Sequence, residues 1–143
     1  MKDFSIRIRI YYEDTDAGGI VYNANYVKYL ERARTEWLRS GGVEQDELLR
    51  QDVAFVVRHL DLEFLSPARF NELIDVTCSV MKPGAASVVF AQSVFAADGR
   101  ELVRAKVKIA CVSLSAMKPV LIPEKVKEVF INGSKSDSGD SGR

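Results

Sequence analysis

The sequence predicts an α+β domain in which a curved five-stranded antiparallel sheet wraps around one long central helix. The first segment, Phe4 to Ile10, alternates apolar and polar residues, which is the period of a strand with one buried face. A stripe of apolar residues then recurs at the spacing of a helix: Tyr26, Tyr29, Leu30, Ala33 and Trp37. Four alternating segments follow, joined mostly by tight turns, and these favour an antiparallel meander.

The sequence contains helix-capping residues at both ends of the predicted long helix. Asn23 or Asn25 can cap its start, and Gly41-Gly42 can end it in a left-handed turn. The short polar segment from Glu44 to Gln51 indicates one or two further helical turns.

Pro and Gly residues separate the four later strands, and Asp98-Gly99 is a good two-residue hairpin turn. Their predicted bounds are Val53–Phe64, Leu73–Met81, Ser87–Phe95 and Val103–Cys111. The first of them places one apolar set on the inner face: Ala54, Val56, Leu60, Leu62 and Phe64. A second apolar set then falls on the outer face of the sheet: Val53, Phe55, Val57, Val89 and Phe95. Apolar residues on both faces indicate that a partner subunit covers part of the outside.

The domain is expected to span residues 1–131. Pro123 can open a final short helix with an apolar face, and no repeat or second domain is evident. Residues 132–143 contain only small, polar and charged residue types, which predicts a disordered polar tail.

Composition excludes several classes of protein. The 143 residues carry 20 Lys plus Arg and 20 Asp plus Glu, so the formal net charge is zero, which argues against a nucleic-acid binder. Two cysteines cannot make a disulfide framework and one histidine cannot build a zinc cluster, so no metal is expected. No apolar stretch approaches a membrane span. We therefore expect a cytoplasmic single-domain protein.

Most catalytic templates do not fit this chain. His59 shares a strand face with Asp61 and Glu63, and no nucleophile-elbow motif accompanies it. Cys78 and Cys111 fall on apolar strand faces, which is typical of buried, inert thiols. No phosphate-binding glycine pattern is present.

The loop before the long helix, from Asp14 to Gly19, is the richest in functional groups. It begins like an EF-hand loop, but a strand precedes it, Gly18 replaces a ligand, and Asn25 stands where the bidentate Glu belongs. Acidic and glycine residues before a helix are also ordinary capping chemistry. The density of carboxylates and amides favours a site instead. Free N–H groups at a helix start can receive an oxyanion, and a nearby carboxylate can act as nucleophile or base.

Two runs carry a family resemblance. They are Tyr11-Tyr12-Glu13-Asp14-Thr15-Asp16-Ala17-Gly18-Gly19-Ile20-Val21-Tyr22-Asn23-Ala24-Asn25-Tyr26 and Glu31-Arg32-Ala33-Arg34-Thr35-Glu36. They resemble the hotdog-fold acyl-CoA thioesterases, and more narrowly the 4-hydroxybenzoyl-CoA thioesterase family with its Tol–Pal-associated branch. The resemblance continues through Val53–Arg58 and Ser66–Arg69 to Met117-Lys118-Pro119.

This resemblance implies a hotdog fold and a hydrolase that cleaves acyl-CoA to free acid and coenzyme A. It implies that Asp16 is the catalytic carboxylate, as nucleophile or as base, and that the backbone N–H of Asn23 is the oxyanion donor. It places Tyr12 beside Asp16, where it helps to orient Asp16 or the substrate. No cofactor is implied, because hydrolysis needs only water. Homodimers, commonly paired into homotetramers, are expected.

One position departs from the family pattern. The Tol–Pal-associated branch commonly has His where this chain has Asn23, and Asn cannot titrate. The backbone N–H survives the change. A related dehydratase activity is disfavoured because the long helix carries no His. The alternative that stays open is a non-catalytic module that binds acyl thioesters or acyl carrier protein.

Overall fold

The helical and alternating periods of the sequence both appear in the three-dimensional structure. The computed structural model describes the backbone of residues 4–139 and the side chains of residues 4–131. The helices are α1 (Asn23–Ser40), α2 (Gln45–Arg50) and α3 (Glu124–Gly139). The strands are β1 (Phe4–Arg9), β2 (Val53–Phe64), β3 (Leu73–Pro83), β4 (Ser87–Ala96), β5 (Glu101–Ser113) and β6 (Lys118–Pro119). No helix within the described range has the length and apolar content that a membrane span requires.

The strands form one antiparallel sheet in the order β1-β3-β4-β5-β2, with the short β6 on β5. The predicted α+β class, with five main strands and one long helix, is confirmed. The predicted meander is wrong for β2, which pairs with β5 at the far edge instead of with β3. A period of two defines the faces of a strand but not its neighbours, so the sequence could not give this order.

Helix α1 fills the concave face of the sheet with the predicted apolar stripe. Its buried residues are Tyr26, Tyr29, Leu30, Ala33, Trp37 and Leu38. The helix packs mainly on β3 and β1. Trp37 stacks on Phe4 and also packs edge-on against Phe130, with ring centroids 6.0 and 5.1 Å away. These aromatic contacts fix the C-terminal half of α1 and leave its start near the edge of the core.

A β-bulge in β2 changes which residues face the core. Val57 pairs with Ile109 and His59 pairs with Lys108, so Arg58 has no partner in the register. The predicted inner face of β2 is therefore wrong on one side of the bulge, because one extra residue reverses the alternation. Val53 and Phe55 pack against the main core, as Leu60 and Leu62 do. A small apolar cluster forms elsewhere, and it consists of Ala54, Val56, Ala110 and Val112.

Helix α3 extends past the predicted end of the domain. The backbone is helical through Gly139, so the predicted boundary at residue 131 falls inside α3. The predicted disordered tail covers residues 132–143. The side chains of residues 132–139 and all of residues 140–143 lie outside the described residues, so disorder of the tail stays a prediction.

Gly41, at the end of α1, gives a test of how α3 docks. A Cβ at Gly41 would lie 2.4 Å from Cγ2 and 2.9 Å from Cγ1 of Val129. Because the branched Val129 side chain has few alternative rotamers, Gly41→Ala is expected to lower the free energy of unfolding by about 1–3 kcal/mol. Urea denaturation measures the loss. Adding Val129→Ala makes room, so the double variant should lose less than the sum of the single variants. Simple additivity would contradict the proposed clash.

Candidate active site

The loop between β1 and α1 is held by three backbone hydrogen bonds. The N–H of Asp16 donates to the carbonyl of Ile20 at 2.9 Å, and the N–H of Gly19 donates to the carbonyl of Asp16 at 3.0 Å. Further out, the N–H of Tyr22 donates to the carbonyl of Asp14 at 3.0 Å. Gly19 has a φ of +79°, which completes a tight turn that other residue types rarely adopt. The loop therefore folds back on itself and brings residue 16 towards the start of α1.

The Asp16 carboxylate is exposed at the tip of this loop. Its Oδ1 accepts the N–H of Gly18 at 2.8 Å. Its other oxygen accepts no hydrogen bond from the described residues. One oxygen is thus oriented by the backbone while the second is available to a reactant or to water. This arrangement suits a carboxylate that attacks a carbonyl or removes a proton.

The start of α1 follows directly on this loop and presents backbone donors that no side chain caps. Tyr22 is the N-cap residue, and no side chain caps the helix. The predicted capping by Asn23 or Asn25 is therefore wrong. Within the described part of the chain, the N–H of Asn23 donates to no acceptor, and the Asn23 side chain is exposed. The first N–H groups of a helix carry a partial positive charge, so this donor suits an anionic oxygen.

Asp14 and Asn25, which sequence reasoning left without a role in the site, hold the loop together. Oδ2 of Asp14 accepts the N–H of Tyr11 at 2.7 Å. The Asn25 amide donates through Nδ2 to the carbonyl of Asp14 at 2.8 Å. Asn25 binds this carbonyl instead of capping α1. The bond was not predictable because it joins residues that are eleven positions apart, through a loop of irregular backbone.

Tyr29 lies on the buried face of α1, next to the Asp14 carboxylate. Burial, and then the neighbouring negative charge of Asp14, raise the pKa of Tyr29 above its usual value, so the phenol stays neutral. The Tyr29 hydroxyl has no hydrogen-bond partner within standard distance among the described residues. The base of the loop is therefore desolvated, although its tip at Asp16 is in water.

Asn25→Ala is expected to lower the free energy of unfolding by about 1 kcal/mol, because it removes one partly buried hydrogen bond. It should also lower the rate of the reaction that the loop supports, since Asp16 follows Asp14 by two residues. Asn23→Ala is the matched control, because the Asn23 side chain makes no contact of this kind. Thermal unfolding together with turnover measures both effects. Equal behaviour of the two variants would mean that backbone bonds alone hold the loop.

Tyr12 lies beside the loop but makes no hydrogen bond with Asp16 among the described residues. Its side chain is 80% exposed. Its ring packs edge-on against Phe70, with centroids 6.0 Å apart. Phe70 was missed by the sequence analysis, because the segment between β2 and β3 reaches the loop only in the fold. Two contacts anchor that segment: the N–H of Val21 donates to the carbonyl of Ala68 at 2.9 Å, and the Ala68 N–H donates to the Tyr26 hydroxyl at 3.3 Å.

The other candidate residues lie away from this loop. His59 is exposed on β2. Cys111 is buried on β5, and burial raises the pKa of its thiol. Across residues 4–139, no group of three His, Cys, Asp or Glu side chains is placed to hold a metal ion. The loop and the start of α1 are therefore the candidate active site, which contains Asp16, Asn23 and Tyr12.

Comparisons with known proteins identify a family and relatives of this chain. A family model described as the thioesterase-like superfamily matches residues 11–130. The acyl-CoA thioesterase YbgC of Haemophilus influenzae is 44% identical over 89% of this chain and 93% of its own length. The acyl-CoA thioester hydrolase YbgC of Escherichia coli is 41% identical over 86% of this chain and 92% of its own.

Solved structures give the same architecture. Slr0204, a 1,4-dihydroxy-2-naphthoyl-CoA thioesterase from Synechocystis, superposes with a TM-score of 0.84 at 22% identity, over 92% of this chain and 97% of that chain. At this identity the likeness shows the fold alone. The predicted hotdog fold is thereby confirmed. The family model and the two YbgC relatives confirm the family resemblance. The chain belongs to the thioesterase-like superfamily.

Proposed function

We propose that this protein hydrolyses the thioester of acyl-CoA to a free acid and coenzyme A. The observation that carries the proposal is one loop that presents the exposed Asp16 carboxylate and leads, through the bond from the N–H of Tyr22 to the carbonyl of Asp14, into a helix start whose first N–H groups are uncapped. The names of the relatives, acyl-CoA thioesterase and acyl-CoA thioester hydrolase, support the substrate class.

In the proposed reaction the C–S bond of the thioester breaks and a C–O bond forms. Asp16 acts by one of two routes. As a base, it removes a proton from water while the water oxygen attacks the carbonyl carbon. As a nucleophile, it attacks the carbonyl itself, and water hydrolyses the resulting anhydride.

In both routes the carbonyl oxygen becomes negative and accepts the N–H of Asn23. The coenzyme A thiolate leaves and takes up a proton from solvent. Tyr12, together with its neighbour Phe70, offers an exposed aromatic surface at the side of Asp16 for substrate to pack on. None of these steps calls for a cofactor.

We further propose that the protein works in the cytoplasm as a homodimer or homotetramer. Strand β2 pairs only with β5, so its other edge is open to a second copy. Two side chains of β2 that are about half exposed, Val57 and Phe64, add apolar surface on this strand. Two cysteines are too few for the disulfide framework of a small secreted domain. Light scattering should give two or four times the chain mass of 16.0 kDa.

The direct test is release of thiol from short, long and aromatic acyl-CoAs, with acyl carrier protein thioesters as a parallel series. Turnover of any member supports hydrolysis, and the ranking gives the preferred acyl group and carrier. If no member releases thiol but one binds intact, the protein is a binding module for acyl thioesters or acyl carrier protein. That alternative is favoured by Asn23, which cannot titrate as the usual His does.

A further inference from the structure

A cavity of about 270 Å³ lies between the C-terminal half of α1 and the inner face of the sheet. Its walls are mostly apolar, and include Leu38, Phe55, Phe90 and Ile109. The volume is close to the lower end of the range for small-molecule sites. None of the candidate catalytic residues lines it. The size and the apolar walls of the cavity suit a small apolar molecule.

Arg34 lines one wall of the cavity, and its side chain is partly buried. Its Nη1 donates to Oε1 of Gln92 at 2.9 Å. Gln92 is 1% exposed, and its Nε2 in turn donates to the carbonyl of Leu30 at 3.0 Å. Gln92 thus fixes the guanidinium between helix and sheet. A guanidinium has five N–H donors, so this contact leaves most of them unused.

Among the described arginines that form no ion pair, Arg34 is partly buried, whereas Arg9, Arg32, Arg58 and Arg69 are exposed. Arg7, Arg39 and Arg104 each pair with at least one carboxylate at the surface. No carboxylate among the described residues lies within 4.0 Å of Arg34. Burial lowers the pKa of Arg34, but an arginine stays charged at neutral pH. A desolvated charge without an anion is unfavourable, and it raises the question of what balances it.

Glu31, the acidic residue of the cavity lining, offsets this charge only in part, because its attraction raises the pKa of Arg34 by less than burial lowers it. It lies one helical turn before Arg34 and is exposed. Its Oε2 accepts the hydroxyl of Thr35 at 3.2 Å, at the rim of the cavity. Water screens Glu31 at this rim, whereas Arg34 acts through a medium of lower dielectric constant. An anion inside the cavity would therefore be attracted by Arg34 more than it is repelled by Glu31.

We propose that this cavity binds a carboxylate with a small apolar body, and that Arg34 receives the carboxylate group. The apolar walls take the body, while the unused guanidinium donors form charge-assisted hydrogen bonds to the two oxygens. Such a molecule has two sources: a free carboxylic acid, or an acyl-CoA whose acyl group ends in a second carboxylate. Only the second source rests on the proposed thioesterase function.

The test is calorimetric titration of the full chain with matched pairs that differ only in charge: hexanoate against hexanol, and benzoate against benzyl alcohol. Each acid is expected to bind about tenfold or more tightly than its alcohol, which is the effect of hydrogen bonds to a charged group. Arg34→Gln should remove this preference, because it keeps a polar side chain but not the charge. The matched control is Arg39→Gln on the same helix, which should bind as wild type does. Equal binding of acid and alcohol, or no binding of either, would overturn the proposal.

A second variant covers the case in which Arg34→Gln does not fold. Val57 lines the cavity from edge strand β2 and is 48% exposed, so a larger side chain there can cover part of the cavity without crowding the buried core. Val57→Trp is expected to obstruct the cavity without touching Arg34 and to weaken binding of both acids. Unchanged affinity in a folded Val57→Trp would contradict the assignment of the site to this cavity.

Turnover separates the two sources. If a substrate supplies the carboxylate, Arg34→Gln lowers kcat/KM for succinyl-CoA about tenfold or more and leaves butyryl-CoA unchanged. If the free acid is the ligand, both substrates are unaffected by the variant and only acid binding is lost. If the wild type turns over neither substrate, the result counts against the proposed thioesterase function. The calorimetric titration still tests carboxylate binding independently.

Discussion

Asp16→Asn is expected to reduce thiol release by about 10²–10⁴-fold, the range for loss of a positioned base, with a larger loss if Asp16 is the nucleophile. Asn keeps the size of the side chain and can still accept the N–H of Gly18 through its carbonyl oxygen. Asn lacks the negative charge and the second carboxylate oxygen of Asp. The variant loop should therefore keep its shape but lose its reactivity. Initial rates with the best acyl-CoA of the panel measure the effect.

Glu13→Gln is the matched control for Asp16→Asn. Glu13 is an exposed carboxylate of the same loop, and none of the described hydrogen bonds involves it. The control therefore removes one negative charge from the same surface and should retain turnover within a few-fold. If Glu13→Gln and Asp16→Asn lose activity alike, the general charge of the loop matters, and Asp16 has no special role.

Turnover in oxygen-labelled water tests the nucleophile route: label in the protein shows an anhydride on Asp16, whereas label in the acid alone fits both the base route and an anhydride that water opens at the acyl carbonyl. In the base route the label enters only the released acid. In the nucleophile route, water that opens the anhydride at the Asp16 carbonyl leaves the label in the protein. Mass spectrometry of the peptide that contains Asp16 reads the outcome. Label in both places across repeated turnovers would indicate the anhydride.

Asn23→Pro is expected to lower kcat by about 10²–10³-fold, the typical loss of one oxyanion donor. Proline removes the backbone N–H and is well tolerated at the first position of a helix. The preceding residue, Tyr22, has φ −67° and ψ 134°, a conformation that a following proline favours. Since the N–H of Asn23 makes no hydrogen bond within the described chain, folding should lose little. Turnover and thermal unfolding are measured together.

Asn23→Ala separates the backbone of this residue from its side chain. It keeps the N–H and removes the exposed amide, so turnover should stay within a few-fold of wild type. Full activity in a folded Asn23→Pro variant would mean that another group stabilises the carbonyl oxygen. Loss of activity in Asn23→Ala would assign the role to the side chain instead.

Local periodicity determined most of the secondary structure. The apolar spacing from Tyr26 to Trp37 predicted α1, and that face is buried. The alternation in the last long strand predicted β5, whose inward residues from Val103 to Cys111 are buried. Periodicity is a property of neighbouring residues, and burial of one face follows from it directly. The order of the strands does not follow, and β2 lies at the edge beside β5.

Some residues of the candidate site could likewise be predicted from the sequence, and others could be found only from the fold. Asp16 and Asn23 could be chosen from the sequence because they belong to one continuous run at a helix start. The contact of Tyr12 with Phe70, and the bond from Asn25 to Asp14, depend on how the loop and the segment after β2 fold together. From the sequence alone, Arg34 resembles the other charged residues on the surface of α1. Only the structure shows that it is partly buried and contacts Gln92 on β4.

The sequence alone therefore determined the α+β class, the long helix, and the loop with its carboxylate beside a helix start. Each of these depends on residues close together in the chain, through backbone geometry and the burial of one face. The tertiary structure decided the position of β2, the bulge at Arg58 that reverses its faces, and the cavity with its unpaired guanidinium. These depend on contacts between distant segments, whose free energies no local pattern encodes.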